Sequence, residues 1–171
     1  MSRAFVVDAS VLRAASPLKA QGAGCHAALQ AMTEMGAAVV LGHALKPEAD
    51  KHANRISARW LRTQISKKLF VKAQPAPELV EAVLQACDAH LPPARHPAVR
   101  KDVQMVEAAH TTDQRVLSLD DRMAADLRPL VAHVPALAPI HWVNPARHAA
   151  ADWIGHGAPD HPPWTLAHAP D

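Results

Sequence analysis

The chain has 171 residues, of which 49% are hydrophobic, and a formal net charge of +2. This length can bury one sizeable core, and so small a net charge is by itself no argument for a nucleic-acid partner. Cys25 and Cys87 are too few for a disulfide scaffold and match no metal-binding or redox spacing. No stretch approaches the roughly 20 apolar residues of a membrane helix, and residues 1–5 do not resemble a secretory signal. We therefore expect a soluble, cytoplasmic protein.

The first apolar run is followed at once by an acidic residue. Ala4–Val7 is short, β-branched and aromatic, which predicts a buried first strand whose carboxyl end carries Asp8. Asp8 and Ser10 are side chains that commonly cap a helix, so a helix is expected to begin here.

The next segments continue an alternation of helix and strand. Gly22 and Gly24 are expected to interrupt the chain, after which Cys25–Met35 shows apolar residues at helical spacing and Ala37–Leu41 is a second buried strand. Alternation of this kind is typical of βαβ units, which build a parallel sheet. The predicted fold class is α/β with a central, mainly parallel sheet.

A long helix with a basic face is predicted after Gly42. Pro47 suits the start of a helix, and the apolar pattern then runs as far as Leu69. Between positions 51 and 72 the charged residues are all basic. They are Lys51, Arg55, Arg59, Arg62, Lys67, Lys68 and Lys72. The first four recur at three- and four-residue steps, so we expect one stripe that binds a nucleic-acid backbone.

The following part predicts two helices, a strand and a further helix start. Helical patterns cover Glu78–Ala89 and Ala98–His110, and breaker residues separate them. Arg115–Leu119 is a third buried strand. Asp120 and Asp121 follow this strand directly and open a new helix.

The C-terminal part is rich in proline and histidine. Ile140–Val143 is a plausible edge strand, and residues 146–171 are expected to form a poorly regular tail beyond a domain that covers residues 1–145. Histidines in this part have no close ligand spacing and no accompanying cysteine, so the pattern does not favour a zinc site. They are His141, His148, His156, His161 and His168.

Four acidic side chains are placed so that they can converge. Asp8 and Asp120 each follow a buried strand, and the carboxyl ends of parallel strands meet at one edge of a sheet. Asp102 lies on the apolar face of its helix, where an unpaired carboxylate is costly, and Glu48 lies in the first helical turn after the second strand. Because clustered carboxylates repel one another, Mg²⁺ or Mn²⁺ is the simplest partner, with Asp8, Glu48, Asp102 and Asp120 as catalytic residues and metal ligands.

Each acid also has a purely structural explanation. Asp8 and Asp120 can cap helices, and Glu48 can favour the positive start of a helix. Asp102 can pair with a buried base. The hypothesis of a metal site therefore depends on the set of four acids.

Polar neighbours of these acids are candidate contacts. Ser10 and Ser118 can hydrogen-bond ligands or metal-bound water, and His52, one helical turn after Glu48, can bind a phosphate or hold that carboxylate in place. Asp121 is a further candidate ligand, although a residue at a helix start is commonly a cap. The predicted substrate-binding set is Ser10, Lys51, His52, Arg55, Arg59, Arg62 and Ser118.

The ordered combination resembles the PIN-domain nucleases. In that family an Asp follows the first strand, a Glu lies early in a middle helix, and two later Asp residues flank a helix–strand unit. The matching motifs are Phe5-Val6-Val7-Asp8-Ala9-Ser10, Pro47-Glu48, Lys101-Asp102 and Val116-Leu117-Ser118-Leu119-Asp120. The resemblance covers residues 4–143 and is closer to uncharacterised PIN-like proteins than to the compact toxin members.

The resemblance implies a three-layer α/β/α fold, a Mg²⁺ or Mn²⁺ site and cleavage of single-stranded RNA. It also raises the expectation of a homodimer and of an antitoxin-like protein partner. Two other interpretations stay open. One is a catalytically silent module on the same fold that binds nucleic acid or protein. The other is a Mg²⁺-dependent phosphatase of the haloacid dehalogenase type, which needs a second acid where Ser10 stands.

Overall fold

The structure is a computed structural model that describes residues 3–42 and 44–168. Within these ranges the strands are β1 (Ala4–Val7), β2 (Ala38–Leu41), β3 (Phe70–Lys72), β4 (Arg115–Leu117) and β5 (His141–Val143). The α-helices of the same ranges are α1 (Ala9–Ala14), α2 (Ala20–Glu34), α3 (Leu45–His52), α4 (Arg55–Ser66), α5 (Pro77–His90), α6 (His96–His110), α7 (Asp121–Leu127) and α8 (Ala150–Gly155). None of the described helices is long and apolar enough to span a membrane.

The strands form one parallel sheet in the order β3-β2-β1-β4-β5. Two clusters of buried side chains flank it. One contains residues of α1 to α4 and α8, and the other contains residues of α5 to α7. This arrangement confirms the predicted α/β class and the three-layer α/β/α architecture, and β5 is an edge strand of the sheet as expected.

Strand β1 is buried on both faces because its side chains alternate between the two clusters. Ala4 and Val6 pack against the layer of α5 to α7, and Phe5 and Val7 pack against the opposite layer. A strand covered on both faces needs a continuous apolar run, which is what the sequence has here. Packing on both sides fixes the end of the strand and therefore the position of Asp8.

The single long helix predicted from Pro47 to Leu69 is wrong, because the chain forms α3 and α4 with a break at Asn54. The Asn54 side chain accepts hydrogen bonds from the backbone N–H groups of Ile56 and Ser57, at 2.9 and 3.0 Å. The Ser57 hydroxyl in turn accepts the N–H of Asn54, which completes a capping box. The chain therefore starts a new helix inside the continuous apolar pattern.

The single basic stripe is wrong for the same reason. Lys51 lies in the last turn of α3, whereas Arg55, Arg59 and Arg62 lie on α4. The sequence prediction also missed β3, a short edge strand with two exposed residues.

Gly22 and Gly24 lie within α2 and do not interrupt the chain, so the helix begins at Ala20 instead of Cys25. A Cβ atom at Gly24 would lie 2.0 Å from the carbonyl oxygen of Pro145, and one at Gly22 would lie 2.2 Å from that of Ala14. These glycines permit close approach of backbone to the helix.

The segment after Pro145 is more regular than predicted. Helix α8 packs against α2, and its Trp153 and Ile154 are buried in the same cluster as Phe5 and Val7 of β1. The Trp153 ring meets Phe5 edge-on at 5.8 Å between centroids, and the Arg115 guanidinium lies 5.8 Å from the Trp153 ring. The expectation of a poorly regular tail is therefore wrong for Ala150–Gly155.

Replacing Trp153 by Ala is expected to lower the free energy of unfolding by about 3–5 kcal/mol, because it leaves a cavity in the core. Urea denaturation followed by circular dichroism measures the change. Met35→Ala is the control, since Met35 is 46% exposed and its loss should cost less than about 1 kcal/mol. Equal losses in the two variants would mean that the C-terminal segment adds little to the core.

Candidate metal centre

The sheet has a topological switch point between β1 and β4, which lie side by side. The chain leaves β1 toward β2 and leaves β4 toward β5, so the two connections diverge. The backbone N–H of Asp8 donates to the carbonyl oxygen of Leu117 at 2.9 Å and ties the two strand ends together. In open α/β sheets a ligand crevice forms outside the carboxyl ends of the strands at such a point. Asp8 and Asp120 lie at this crevice.

A cleft of about 180 Å³ lies there, and the four predicted acids all line it. Asp8 and Asp120 follow β1 and β4, whereas Glu48 comes from α3 in one helical layer and Asp102 from α6 in the other. All four side chains are half-buried. The structure thus brings residues that are far apart in sequence to one cleft, and their chemical role there stays a prediction.

Asp8 is held by two hydroxyl groups. Its Oδ2 atom accepts hydrogen bonds from Ser10 Oγ at 2.5 Å and from Ser118 Oγ at 2.8 Å. Although Asp8 stands at the N-cap position of α1, its side chain makes no capping hydrogen bond. The capping role considered for Asp8 is therefore wrong, and the two serines fix the orientation of its carboxylate.

The loop after β4 is tied to the same hydroxyl groups. Leu119 N–H donates to Ser10 Oγ at 3.2 Å, and Asp120 N–H donates to Ser118 Oγ at 3.0 Å. Asp120 Oδ1 accepts the N–H of Met123 at 2.9 Å, so Asp120 does cap α7 while it lines the cleft. This network gives Asp120 a fixed place beside Asp8.

Glu48 is paired with a histidine one helical turn later. His52 Nε2 lies 3.2 Å from Glu48 Oε2, and His52 Nδ1 lies 2.8 Å from Arg13 Nη2. A guanidinium can only donate, so Nδ1 accepts and the proton on Nε2 faces Glu48. This geometry agrees with the expectation that His52 holds Glu48 in place. Sequence analysis missed Arg13, because no local pattern links it to α3.

Asp102 is a half-buried acid that forms no ion pair with any described base. Burial is the main cause that raises the pKa of Asp102, Lys101 lowers that pKa, and the carboxylates of Asp8, Asp120 and Glu48 raise it. None of the ion pairs among residues 3–42 and 44–168 includes Asp102. The buried base that would explain this acid structurally is therefore not found in the described part of the chain.

This set of donors fits a hard divalent cation. A cation would offset the mutual repulsion of the carboxylates, and Mg²⁺ and Mn²⁺ both accept carboxylate oxygens as ligands. Among the described residues, no three of the four carboxylates bring one oxygen each within 4.8 Å of one another. The four acids therefore do not form a closed site without a cation, and they would hold one through bridging waters or after moving closer together.

Asp121 lies apart from the four acids. Its carboxylate accepts hydrogen bonds from Asn144 Nδ2 at 3.0 Å and pairs with Arg147 Nε at 3.1 Å. It is the first residue of α7, and Asp120 is the cap. Since Asp121 does not line the cleft, the structure does not bring it to the candidate site.

The predicted basic residues lie outside the cleft. They are Lys51, Arg55, Arg59 and Arg62, all of them exposed. Arg55 and Arg59 line a neighbouring groove between α2 and α4. The Arg and Lys residues that line the cleft itself are Arg13 and Lys101.

A second group of candidate metal ligands lies at the junction of α5 and α6. Cys87, Asp88 and His96 place one ligand atom each within 4.8 Å of one another. The carboxylate of Asp88 already accepts hydrogen bonds from Arg100 at 2.5 and 2.6 Å, and burial raises the pKa of the Cys87 thiol. Because Arg100 balances the charge and the thiol form of Cys87 is favoured, this group suits a cation less well than the acidic cleft does. No sequence motif marks it.

The C-terminal histidines form no such group among the described residues. His141 is buried, and its Nε2 accepts the backbone N–H of His161 at 3.0 Å. Burial lowers the pKa of His141, and the nearby Arg115 lowers it further. His141 therefore helps to dock the C-terminal segment.

Comparison of the chain with models of known protein families, with curated proteins and with solved structures finds no match. The resemblance to PIN-domain nucleases therefore stays a prediction from the sequence motifs. The fold, the switch point and the composition of the cleft are the physical basis for a proposal about function.

Proposed function

We propose that the protein is a metal-dependent nuclease of PIN-like type that hydrolyses phosphodiester bonds in single-stranded RNA. The observation that supports this most strongly is the placement of Asp8, Glu48, Asp102 and Asp120 around one cleft at the switch point. Bare carboxylates repel a phosphate, so an acidic cleft suits this substrate only together with a cation. The same acids, in the same order, underlie the resemblance to the PIN-domain nucleases.

Asp8, Glu48, Asp102 and Asp120 would hold Mg²⁺ or Mn²⁺. When bound, the ion supplies polarisation of the phosphate and activation of water. Hydrolysis forms a bond between a water oxygen and phosphorus and breaks the P–O bond to the neighbouring nucleoside, whose oxygen takes up a proton. The side chains around the acids position them, and Lys101 offers a positive charge at the cleft for the phosphate.

The activity is assigned to a reducing, cytoplasmic compartment, because Cys25 and Cys87 are both buried as free thiols. A homodimer and an antitoxin-like protein partner remain predictions from the resemblance.

Cleavage of labelled single-stranded RNA and DNA tests the proposal. The wild-type protein is incubated with each polymer in Mn²⁺, in Mg²⁺ or in EDTA, and we expect cutting of RNA with either ion and none in EDTA. Metal binding is measured separately as the rise in Tm on addition of the ion, which does not depend on the choice of substrate. A folded protein that gains no stability from either ion and cuts neither polymer would overturn the proposal.

A catalytically silent binding module is the second candidate. The wide spacing of the carboxylate oxygens among the described residues favours it. This candidate predicts RNA binding that is independent of metal and is followed by no cleavage. The phosphatase alternative is not favoured, because Ser10 stands where the second acid is required and donates its hydroxyl proton to Asp8.

Replacing Ser118 by Ala is expected to lower the cleavage rate by about 10- to 100-fold, as is common when a group that orients a metal ligand is removed. Ser118 is fully buried, and its hydroxyl joins the Asp8 carboxylate to the backbone of Asp120. Cleavage kinetics over a range of Mn²⁺ concentrations measure the effect. Ser66→Ala is the control, since that hydroxyl is exposed and bonds to the Thr63 carbonyl. Wild-type kinetics in Ser118→Ala would contradict the positioning role.

A further inference from the structure

Two grooves lie next to the acidic cleft, and each shares lining residues with its neighbour. The first, of about 480 Å³, lies between α1, the start of α2 and the start of α4, and it shares Arg13 with the cleft. The second, of about 720 Å³, lies between α2 and α4 and shares Arg55 and Ile56 with the first. The shared residues show that the cleft and the two grooves adjoin one another in a row, which we call the α4 path.

Positive charge lines the α4 path. Arg13 and Lys19 line the first groove, Arg55 lines both grooves, and Arg59 lines the second. Of the described residues that line either groove, Glu34 alone is acidic. None of the ion pairs among residues 3–42 and 44–168 includes one of these four basic side chains. Arg13 donates to the ring of His52, a contact that leaves its positive charge in place. The four charges are therefore available to a polyanion.

Apolar surface lies beside these charges. Ile56 is 38% exposed, and Trp60 lines the second groove with it. The Trp60 indole N–H donates to the carbonyl oxygen of Leu29 at 2.9 Å, which fixes the ring in the groove wall. A fixed aromatic ring beside cationic side chains is the combination that binds single-stranded nucleic acid, because bases stack on the ring while phosphates pair with the charges.

We propose that single-stranded RNA with a phosphate in the acidic cleft continues along the α4 path. Arg13, Lys19, Arg55 and Arg59 pair with successive phosphates, and bases contact Ile56 and Trp60. This inference rests on the proposed nuclease function, because that function places the phosphate in the cleft. Arg55 and Arg59 are one helical turn apart, about 6 Å along α4, which is comparable to the spacing of phosphates in an extended strand.

The α4 path divides the basic residues that the sequence grouped together. Arg55 and Arg59 line it, whereas Lys51 and Arg62 are exposed and line neither the cleft nor the two grooves. Substituting either pair removes two positive charges, and Arg62 lies on α4 with Arg55 and Arg59, whereas Lys51 lies on α3. The double variant Lys51→Ala/Arg62→Ala is therefore a matched control for Arg55→Ala/Arg59→Ala.

Fluorescence anisotropy with an end-labelled oligouridylate of about a dozen nucleotides tests the path. Binding is measured in EDTA at several salt concentrations, so that no metal-dependent cleavage takes place and the two grooves, not the cation-free cleft, supply the contacts that are measured. We expect Arg55→Ala/Arg59→Ala to weaken binding by roughly 10-fold and to reduce the slope of log K against log salt by about 1.4, since two phosphate contacts are lost. The control pair should change the affinity less than about 3-fold.

The outcomes separate this inference from the nuclease proposal. Equal effects of the two double variants, or no RNA binding by the wild type, would overturn the α4 path. Metal-dependent cleavage could still be present in either case and would leave the nuclease proposal standing. A loss of binding specific to Arg55→Ala/Arg59→Ala in a protein that never cuts RNA would support the path and count against the nuclease.

Tryptophan fluorescence provides a second measurement on the full chain. Unlabelled oligouridylate should quench the emission of the wild type, because stacked bases quench an indole in contact with them. Trp60→Phe should lose most of this quenching, since Trp142, Trp153 and Trp164 are not among the residues that line the path. Quenching that is unchanged in Trp60→Phe would overturn the assignment of bases to the second groove.

Discussion

Replacing Asp8 by Asn is expected to reduce metal-dependent cleavage of RNA by roughly a thousandfold, a loss of the size seen when one electrostatic group is removed from an active site. Asn has nearly the shape of Asp, and its carbonyl oxygen can still accept the hydroxyl protons of Ser10 and Ser118. The fold should therefore be retained. What the variant loses is one negative charge at the point where β1 and β4 meet.

Asp121→Asn is the matched control for this experiment. It makes the same chemical change in a residue that follows Asp120 directly, but its carboxylate bonds to Asn144 and Arg147 outside the cleft. We expect cleavage within about threefold of wild type, because the loss of one exposed pair has a small effect. Rates for both variants are measured at saturating Mn²⁺, with circular dichroism to verify folding. A similar loss in both variants would show that negative charge in general, and not the cleft, determines the rate.

The acids at the strand ends could be predicted from the sequence because their positions follow from local rules. A short apolar run that ends in Asp predicts a buried strand with an acid at its carboxyl end, and a parallel sheet then gathers such ends at one edge. Asp8 and Asp120 follow this logic. Asp102 was found from a different signal, a carboxylate on the apolar face of a helix, where an unpaired charge is costly.

The break between α3 and α4 could not be read from the apolar pattern, because that pattern continues across it. The signal lay in Asn54 and Ser57, which form a capping box with each other, and a hydrophobic period does not report on caps. The consequence for function is direct. Splitting the helix separates Lys51 from Arg55 and Arg59, and of the four predicted stripe residues only these two arginines line the α4 path, whereas Lys51 and Arg62 lie outside it.

Contacts between segments that are distant along the chain could not be predicted from the sequence, because no local pattern reports on them. Arg13 reaches His52 and lines both the cleft and the first groove, yet no spacing or motif connects the two residues. Burial of Trp153 against Phe5 is equally non-local, and it was hidden by the many prolines of the C-terminal part. Local composition predicts irregular backbone there, whereas tertiary packing stabilises a short helix.

Replacing Asp102 by Asn is expected to have opposite effects on stability and on function. The carboxylate of Asp102 is half-buried near Asp8, Asp120 and Glu48, and burial is the main cause of its raised pKa. Asn has nearly the same shape but no charge, so the metal-free variant does not bear the free-energy cost of burying a carboxylate beside other acids. A gain of about 1 kcal/mol in the free energy of unfolding would raise Tm by about 2–4 °C in a chain of this size. Cleavage should fall roughly a hundredfold or more, because one of the four charges proposed to hold the cation is lost.

The higher stability of metal-free Asp102→Asn should depend on pH, because the pKa of Asp102 is raised in the folded wild type. The ordinary pKa of the side chain is 3.8, and its pKa is higher in the folded protein, so protonated Asp102 favours the fold. The wild type has this contribution in full below the ordinary pKa and loses it as pH rises through the raised pKa. Asp102→Asn does not titrate, so the difference in Tm between the two proteins should be larger at neutral pH than near pH 3.8.

Without ion, Asp102→Asn should have the higher Tm. Addition of Mg²⁺ or Mn²⁺ should give the wild type the higher Tm. The wild type gains stability in proportion to the logarithm of ion concentration over its dissociation constant, whereas Asp102→Asn, with weaker binding, gains less. Thermal unfolding at neutral pH, with and without ion, measures both the effect of the substitution on Tm and the rise in Tm that the ion causes. If the ion stabilised Asp102→Asn as much as the wild type, Asp102 would not be a ligand, and the cost of burying its charge would require another explanation.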